Sequence, residues 1–317
     1  MRVKLVGSAV CAWFVCSLNV PAFAWFDFGH EAVACIAYGK LTAKTKERVD
    51  GLLKLNPYYD SWLENIRGAA PKQDKKMMIF MLASTWPDAI KKDQHYKSDG
   101  AEAGNKPDSP ECARNIGYSD FRLHKYWHFA DNPFSTDKTP LPPLVAPNAA
   151  TEIDLMRATL ASDSADELKS FDLTWLIHLV GDVHEPLHCA RRVSKDSPMG
   201  DKGGNDVKLK SDPGGPKNLH ELWDGAPGSD RSLESAMKYA QSLPDANAKL
   251  AAKRDAKVWV REGLDLCRKK IYKGPIKDGL GPYVVNERYR KLAESTSAQR
   301  VELAGARLAN LLNSELK

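Results

Sequence analysis

The sequence contains few strand signals, no internal repeat, no low-complexity tract and no linker that would divide the chain. The absence of a linker predicts one domain, and apolar residues at helical spacing predict an all-α architecture. Loops of more than about 15 residues are unusual between helices and are often functional. Loops of this kind lie at about 98–117, 131–147 and 191–217. We therefore expect a single helical domain whose long loops converge on a site.

The sequence also lacks an apolar run that would cross a membrane comfortably as a helix. Its main apolar stretch, Leu5–Val20, is short and interrupted; it follows Arg2 and Lys4 and precedes Ala22-Phe23-Ala24. Positive charge, an apolar core and a small-x-small sequence, in this order, are typical of a signal peptide. We predict a signal peptide over residues 1–24, cleaved after Ala24, and a secreted or periplasmic domain over residues 25–317.

The sequence has no Asn-x-Ser/Thr motif, so it offers no site for N-linked glycosylation, and the short signal peptide suits a bacterial periplasm or secretion. Two of the six cysteines belong to the predicted signal peptide. Four cysteines in an oxidising compartment predict a disulfide and allow three pairings; they are Cys35, Cys112, Cys189 and Cys267. Cys189 follows His188 directly, but we expect a buried thiol or a disulfide there, because the other potential ligands are nitrogen and oxygen donors.

Neither sign of charge dominates the sequence, whose formal net charge is +5. Removal of the predicted signal peptide lowers this charge by two, to +3, because that segment has two basic and no acidic residues. Such a weakly basic protein permits a polyanionic substrate without requiring one. The lysine-rich passages Lys72–Lys76 and Arg268–Lys277 are predicted to be solvated faces, since isolated charge runs mostly solubilise.

The stretch over residues 172–224 carries the densest set of potential metal ligands. His178 and Asp182 are four residues apart, so on a helix they share one face. His220 and Asp224 repeat this spacing. A single His-x3-Asp pair usually forms a salt bridge or a cap, but two pairs together favour a metal site, because imidazole nitrogen and carboxylate oxygen bind Zn²⁺.

A third histidine lies between the two pairs. Pro186 is expected to end the first helix near Glu185, because the residue before a proline is pushed out of the α region. His188 can then point away from the face of that helix. The pattern predicts a metal cluster in which His188 is a ligand and His184 has a supporting or structural role.

Further potential ligands precede this stretch: His30, Asp88, His128 and the α-amine of Trp25 that signal cleavage would release. With these residues the sequence closely resembles the S1/P1 nuclease family, which shares a fold with bacterial zinc phospholipases C. The resemblance covers residues 25 to about 225, and the C-terminal third matches only as helices. The matching motifs are Trp25 with His30, Trp86-Pro87-Asp88, Trp127-His128-Phe129, HLVGDVHEPLH from His178 to His188, Gly203-Gly204-Asn205, and NLHELWD ending at Asp224.

The resemblance implies a helical fold around three Zn²⁺ ions. In phosphate-ester hydrolysis, two close metal ions lower the pKa of a shared water, and another cation neutralises the leaving oxygen. A free amine at residue 25 requires removal of the signal peptide, so export and activation would coincide. The implied ligands are Asp88, His128 and His178 for one zinc, the amine and carbonyl of Trp25 with His30 for its close partner, Asp182 as the bridge between these two, and His188, His220 and Asp224 for the third zinc.

Three other residues take roles from the resemblance. Asp131, three residues after His128, matches a carboxylate that orients the attacking water. Phe129 matches an aromatic residue on which a base stacks, with a core position as the alternative. Lys91 stands where fungal members have an arginine; it supplies positive charge but lacks the bidentate fork of a guanidinium. We predict catalytic roles for Asp131, Lys91 and Asp182 and a substrate-binding role for Phe129.

The implied function is a secreted endonuclease of single-stranded DNA or RNA with 3′-nucleotidase activity, which hydrolyses the P–O3′ bond and leaves 5′-phosphates. We expect a monomer without a stable protein partner. Phospholipase C is the alternative with the same metals, disfavoured by Asp224, where zinc phospholipases have glutamate, and by the short interval from Trp25 to His30. A non-enzymatic, zinc-stabilised helical binding protein is a further alternative, disfavoured because structural zinc sites are closed.

Overall fold

The computed structural model describes residues 25–69, 73–101 and 106–316; the predicted signal peptide and its cleavage site lie outside this part of the chain. Helices dominate, which confirms the all-α prediction. The α-helices are α1 (Asp27–Lys40), α2 (Ala43–Leu53), α3 (Tyr59–Asn65), α4 (Lys75–Ala83), α5 (Trp86–Ala89), α6 (Ala149–Ala161), α7 (Asp166–Asp182), α8 (Leu219–Asp224), α9 (Leu233–Ser242), α10 (Ala248–Ala251), α11 (Ala256–Leu266) and α12 (Glu287–Glu315). The strands are β1 (Gly100–Ala101), β2 (Lys106–Pro107), β3 (Asn132–Ser135) and β4 (Ala190–Val193).

Helix α1 lies at the centre of the helical packing, against α4, α9 and α12. Its residues from Phe28 to Cys35 are buried on every side, as expected for a helix without a polar face. A glycine permits the close approach of α12, because a Cβ on Gly305 would come within 2.6 Å of Ile36. Helix α12 is the longest, but no helix in the described residues is both long and apolar enough to span a bilayer.

Helix α7 carries polar groups into the interior of the protein. Every residue from Ser170 to Asp182 is buried, and the helix packs against α2 and α6. Trp175 meets two other tryptophans edge to face, with ring centroids 6.1 Å from Trp86 and 5.0 Å from Trp127. A helix so enclosed needs partners for its histidine and aspartate, since burying an unpaired polar group is costly.

Two helices are interrupted where the apolar pattern predicts continuity. The pattern over residues 71–90 predicts one helix, but α4 and α5 are separate. The hydroxyls of Ser84 and Thr85 donate to carbonyls three residues earlier, over 2.6 and 3.0 Å, and Pro87 cannot continue the hydrogen-bond ladder. The pattern over 246–270 likewise separates into α10 and α11, because the Asp255 side chain caps α11 at the N–H of Lys257.

A parallel strand pair lies where the sequence predicts only irregular chain. Asn132 of β3 pairs with Ala190 of β4, and the register continues to Ser135 and Val193. Four residues are too few to show an alternating pattern, and the partners are far apart in sequence, so the sequence does not reveal the pairing. The pair joins the segments that follow His128 and His188, and so brings these two predicted ligands together.

The cysteines of the described chain are free thiols. Cys35, Cys189 and Cys267 are buried and Cys112 is partly exposed. The predicted disulfide is therefore not confirmed. Cys189 is a buried thiol, as expected, with its Sγ 3.2 Å from the carbonyl oxygen of Val183.

Candidate metal centre

Six segments that are distant in sequence place their histidines and aspartates together in the interior. Helix α1 provides one histidine, α5 one aspartate, α7 and α8 a His/Asp pair each, and the single-turn 3-10 helices Lys125–His128 and Pro186–Cys189 one histidine each. All eight side chains are buried. They are His30, Asp88, His128, His178, Asp182, His188, His220 and Asp224. These are the eight predicted ligand side chains. Their ligand atoms come within 4.8 Å of one another in three groups, which are His128, His178 and Asp182; His30, Asp88 and His178; and His188, His220 and Asp224.

The first group is His128, His178 and Asp182, and Asp88 of α5 lies beside it. His128 Nδ1 lies 2.9 Å from His178 Nε2 and 3.0 Å from Asp182 Oδ2. Asp88 Oδ1 lies 3.9 Å from His178 Nε2 and 4.0 Å from His128 Nδ1. Four donor atoms from three elements therefore converge on one small volume.

The second group is His30, Asp88 and His178, and its His30 lies on the other side of the Asp182 carboxylate. His30 Nε2 is 3.4 Å from Asp182 Oδ1, whereas Asp182 Oδ2 faces His128 and His178. The imidazole of His30 stacks on that of His178, with ring centroids 4.0 Å apart. The two oxygens of one carboxylate thus face different imidazoles, which is the arrangement that a bridging ligand requires.

Trp25 is fully buried at the start of α1. The next residue, Phe26, donates its backbone N–H to the carbonyl of Asp224 over 3.3 Å. This bond fixes the beginning of the domain beside the end of α8. The role of the Trp25 amine stays a prediction.

The third group consists of His188, His220 and Asp224. His220 Nε2 lies 3.4 Å from Asp224 Oδ2, one helical turn along α8. The rings of His188 and His220 are 5.0 Å apart. Phe129 covers His188, because the two rings stack with their centroids 4.4 Å apart. The third group is therefore enclosed by protein on the side of Phe129.

Backbone carbonyls fix the tautomer of three histidines. His178, His188 and His220 each place Nδ1 at 2.7–2.8 Å from a backbone carbonyl, those of Ser84, His128 and Gly203 respectively. A carbonyl only accepts, so each Nδ1 carries the proton and each neutral ring keeps its Nε2 lone pair. Burial lowers the pKa of His188 to about 4 and that of His220 to about 3. Both rings are therefore neutral near pH 7, the form that binds metal.

The pKa values of the two carboxylates at the ends of α7 and α8 are shifted in opposite directions. Burial alone would raise the pKa of Asp182, but the neighbouring His178 and His188 hold it well below its ordinary value. Burial, together with the carboxyls of Glu185 and Asp182, raises the pKa of Asp224 well above its ordinary value. A bound cation would stabilise the ionised form of Asp224 and reverse that direction.

Buried polar atoms without a hydrogen-bond partner test whether metal ions fit. Among the described residues, such atoms include Nε2 of His30, His188 and His220 and Oδ1 of Asp182 and Asp224. Buried groups of this kind are rare unless something binds them. A tetrahedral zinc ion with bonds of about 2.1 Å spaces its ligands by roughly 3.4 Å, and the separations of 2.9–4.0 Å among the first group and Asp88 bracket that value. The nitrogen and oxygen donors therefore fit zinc.

Comparison with known proteins identifies the family of the chain. A family model described as S1/P1 Nuclease matches residues 25–317. The chain belongs to the S1/P1 nuclease family. It is 27% identical to Endonuclease 3 of Arabidopsis thaliana over 238 residues, which cover 73% of this chain and 63% of that protein. It is 34% identical to Endonuclease 4 of the same plant over 95 residues, or 28% of this chain and 27% of that protein. The matches thus span less than two thirds of either relative.

The remaining predicted residues of this S1/P1 family member also lie in the interior. Lys91 Nζ is 2.8 Å from Asp88 Oδ1, so its charge faces the first group. Asp131 is buried three residues after His128. Phe129 exposes 5% of its surface and stacks on His188, which leaves little of its ring for a base. The roles of Lys91, Asp131 and Phe129 stay predictions.

Glu185 goes beyond the sequence predictions for the centre, whereas His184 agrees with them. Glu185 is buried, and its Oε2 accepts the backbone N–H of His188 over 2.9 Å. Glu185 belongs to the HLVGDVHEPLH motif, in which the sequence predicts only that the helix ends near it. His184 lies outside the ligand groups: Nδ1 donates to the carbonyl of Val180 over 2.7 Å, and Arg307 of α12 lies 2.9 Å from Nε2. This placement agrees with its predicted supporting role.

Proposed function

We propose that this protein is a zinc-dependent nuclease that hydrolyses the P–O3′ bonds of single-stranded DNA or RNA to give 5′-phosphates, and that it also removes the phosphate of 3′-nucleotides. The observation that carries the proposal is the convergence of eight buried imidazole and carboxylate side chains, with unpaired donor atoms, in a chain of the S1/P1 nuclease family. Eight side chains that serve three ions leave coordination positions open, as a catalytic rather than a structural site requires.

Three zinc ions would occupy the ligand groups. When bound, they would supply an activated water and neutralise charge on the phosphate oxygens. Asp182 would serve the first and second groups at once, because its two oxygens face different histidines. The third group, His188, His220 and Asp224, would hold the remaining ion.

Three residues beside the ligands would act on the reactants. Asp131 would accept a hydrogen bond from the attacking water and orient it towards phosphorus. Lys91, which is already paired with Asp88, would add positive charge beside the phosphate without the bidentate geometry of arginine. Phe129 would contact a base only with the part of its ring that His188 leaves uncovered.

Export would create one of the ligands. Removal of residues 1–24 would free the amine of Trp25, and the proposal is supported by the next residue, Phe26, which donates its backbone N–H to the carbonyl of Asp224 at the end of α8. The mature protein would act as a monomer in the periplasm or outside the cell. Mass spectrometry of the exported protein tests this step, and a mature chain that begins at any residue other than Trp25 would contradict it.

A paired assay on the mature, zinc-loaded protein tests the proposed activity. One reaction contains a single-stranded oligonucleotide and 3′-AMP, the other phosphatidylcholine, each with and without a chelator. We expect chelator-sensitive release of 5′-nucleotides and of phosphate from 3′-AMP. Release of phosphocholine with an intact oligonucleotide would assign the centre to a phospholipase C. Inactivity on all three substrates, with chelation lowering only the melting temperature, would indicate a structural metal site.

A further inference from the structure

The loop that contains the GGN motif has an unusual backbone. Gly200, Lys202, Gly203 and Gly204 all have positive φ angles, of 89°, 52°, 58° and 85°. Lysine rarely adopts this conformation, so the surrounding structure must impose it. A loop of this kind keeps its shape only where several contacts fix each residue.

This loop lies between two of the predicted ligand segments. The carbonyl of Gly203 accepts the Nδ1–H of His220 over 2.7 Å. A Cβ on Gly203 would come within 2.5 Å of the carbonyl oxygen of Leu187, the residue before His188. The carbonyl of Gly203 is therefore the hydrogen-bond partner of His220 Nδ1, and Gly203 packs too closely against Leu187 to admit a side chain.

Asp201 connects the loop to the rest of the protein. Its Oδ1 accepts the backbone N–H of Arg192 over 2.9 Å, and its Oδ2 accepts the hydroxyl of Tyr272 over 2.7 Å. Its own carbonyl accepts the N–H groups of Gly204 and Asp206, each over 3.1 Å. Asp201 is fully buried, so each of these bonds is made away from water. The side chain and the backbone carbonyl of Asp201 thus hold both ends of the turn that contains the GGN motif.

The partners of Asp201 are themselves fixed. The guanidinium of Arg192 lies over the ring of Tyr272, 4.6 Å from its centroid, and donates to the carbonyl of Lys277 over 2.6 Å. Arg192 Nε is 3.8 Å from Asp201 Oδ2, which places a positive charge beside the buried carboxylate. Tyr272 follows the turn of π-helix at Cys267–Ile271. The C-terminal third, which carries no predicted ligand, therefore contributes to the third group through Tyr272.

We propose that Asp201 is a positioning residue for the third metal group and that Tyr272 completes its function. Together they hold the carbonyl of Gly203 so that His220 keeps its proton on Nδ1 and its Nε2 lone pair towards His188 and Asp224. Interactions that orient a ligand in this way change metal affinity by about 10–100-fold. The inference rests on the proposed function only in requiring a zinc ion at the third group.

The variant Tyr272→Phe removes one hydroxyl from this network and leaves the apolar packing in place. Tyr38→Phe is the matched control, because Tyr38 is also buried and donates its hydroxyl to an aspartate, Asp50, over 3.0 Å. Zinc affinities of the two variants and of the wild type are measured by competition with a chromogenic chelator, beside their melting temperatures and kcat and KM on 3′-AMP.

We expect Tyr272→Phe to weaken one zinc equivalent by about 10-fold and to leave the other two unchanged. Tyr38→Phe is expected to keep all three affinities even where its melting temperature falls as much. Equal zinc affinities in the two variants would overturn the inference. Asp201→Asn, which keeps an acceptor for Arg192 but loses the charge, is expected to weaken the same equivalent.

The same titration separates failure of the inference from failure of the proposed function. If the wild type binds zinc and His220→Ala loses one equivalent, the third group exists, and the Tyr272→Phe result then judges the inference alone. If the wild type binds no zinc, or His220→Ala binds as much as the wild type, the proposed third site is wrong and the inference falls with it.

Discussion

The substitution Gly181→Ala is expected to favour the helical conformation of α7 and to displace the His30 side chain. Gly181 is the last residue but one of α7, where alanine is favoured over glycine by at most about 1 kcal/mol. A Cβ at this position would lie 2.6 Å from His30 Nδ1 and 2.9 Å from its Cε1, whereas ordinary contacts begin at 3.4 Å. The imidazole must therefore move by roughly 0.8 Å. Zinc–nitrogen bonds are defined to within about 0.2 Å, so the displaced ring cannot keep its place.

We expect Gly181→Ala to lose at least 10-fold in affinity for one zinc, and a misplacement of this size costs about 100-fold in turnover. Overpacking costs about 1–3 kcal/mol, which cancels the gain in helix propensity. Gly51→Ala is the matched control, because Gly51 lies in α2 with nothing within 4 Å of the added Cβ. This control is expected to gain about 0.5–1 kcal/mol and to keep full activity.

Zinc content by mass spectrometry, melting temperature and turnover of single-stranded DNA are compared for the two glycine variants. Gly181→Ala would contradict this prediction if it kept its zinc content and turnover and became more stable to the same extent as Gly51→Ala. That result would mean that His30 is free to move and that no ion depends on its position.

Asp182→Asn removes the charge that faces the first and second groups. We expect this variant to lose at least one zinc and nearly all turnover, and near-normal turnover would contradict the bridging role. An alanine placed ahead of Trp25 in the mature chain is expected to remove the amine ligand and one zinc equivalent, which full activity would disprove. Burial raises the pKa of Asp172 to about 7, so the folded state keeps a proton that the unfolded chain releases near pH 4, and stability falls as the pH rises from about 4 to 7. Asp172→Asn should therefore raise the melting temperature at pH 8 but not at pH 4.5, and equal shifts at both pH values would show that Asp172 is not responsible.

Much of the fold follows from local patterns. The buried helix α7 and its His178/Asp182 pair follow from helical spacing alone, since four residues make about one turn. The breaks around Ser84 and Asp255 do not, because apolar periodicity continues through them and only side-chain bonds to the backbone end the helices. The pairing of β3 with β4 depends on contacts between distant segments, which no local pattern shows.

The eight side chains that converge in the interior could be predicted to lie together because the family motifs mark each of them. What could not be predicted is the structure that orients them. The carbonyls of Ser84 and Gly203, which fix the rings of His178 and His220, have no side-chain signature. The space that Gly181 leaves for His30 depends on the packing of α1 against α7. These are relations between backbones, and they appear only in three dimensions.

Anomalous diffraction at the zinc absorption edge, on crystals of the mature protein grown with zinc, tests the metal centre most directly. We predict three peaks in the interior: two that share Asp182, one beside His128 and the other beside His30, and a third bound by His188, His220 and Asp224. Peaks confined to the surface, or an empty third group in zinc-saturated crystals, would contradict the account.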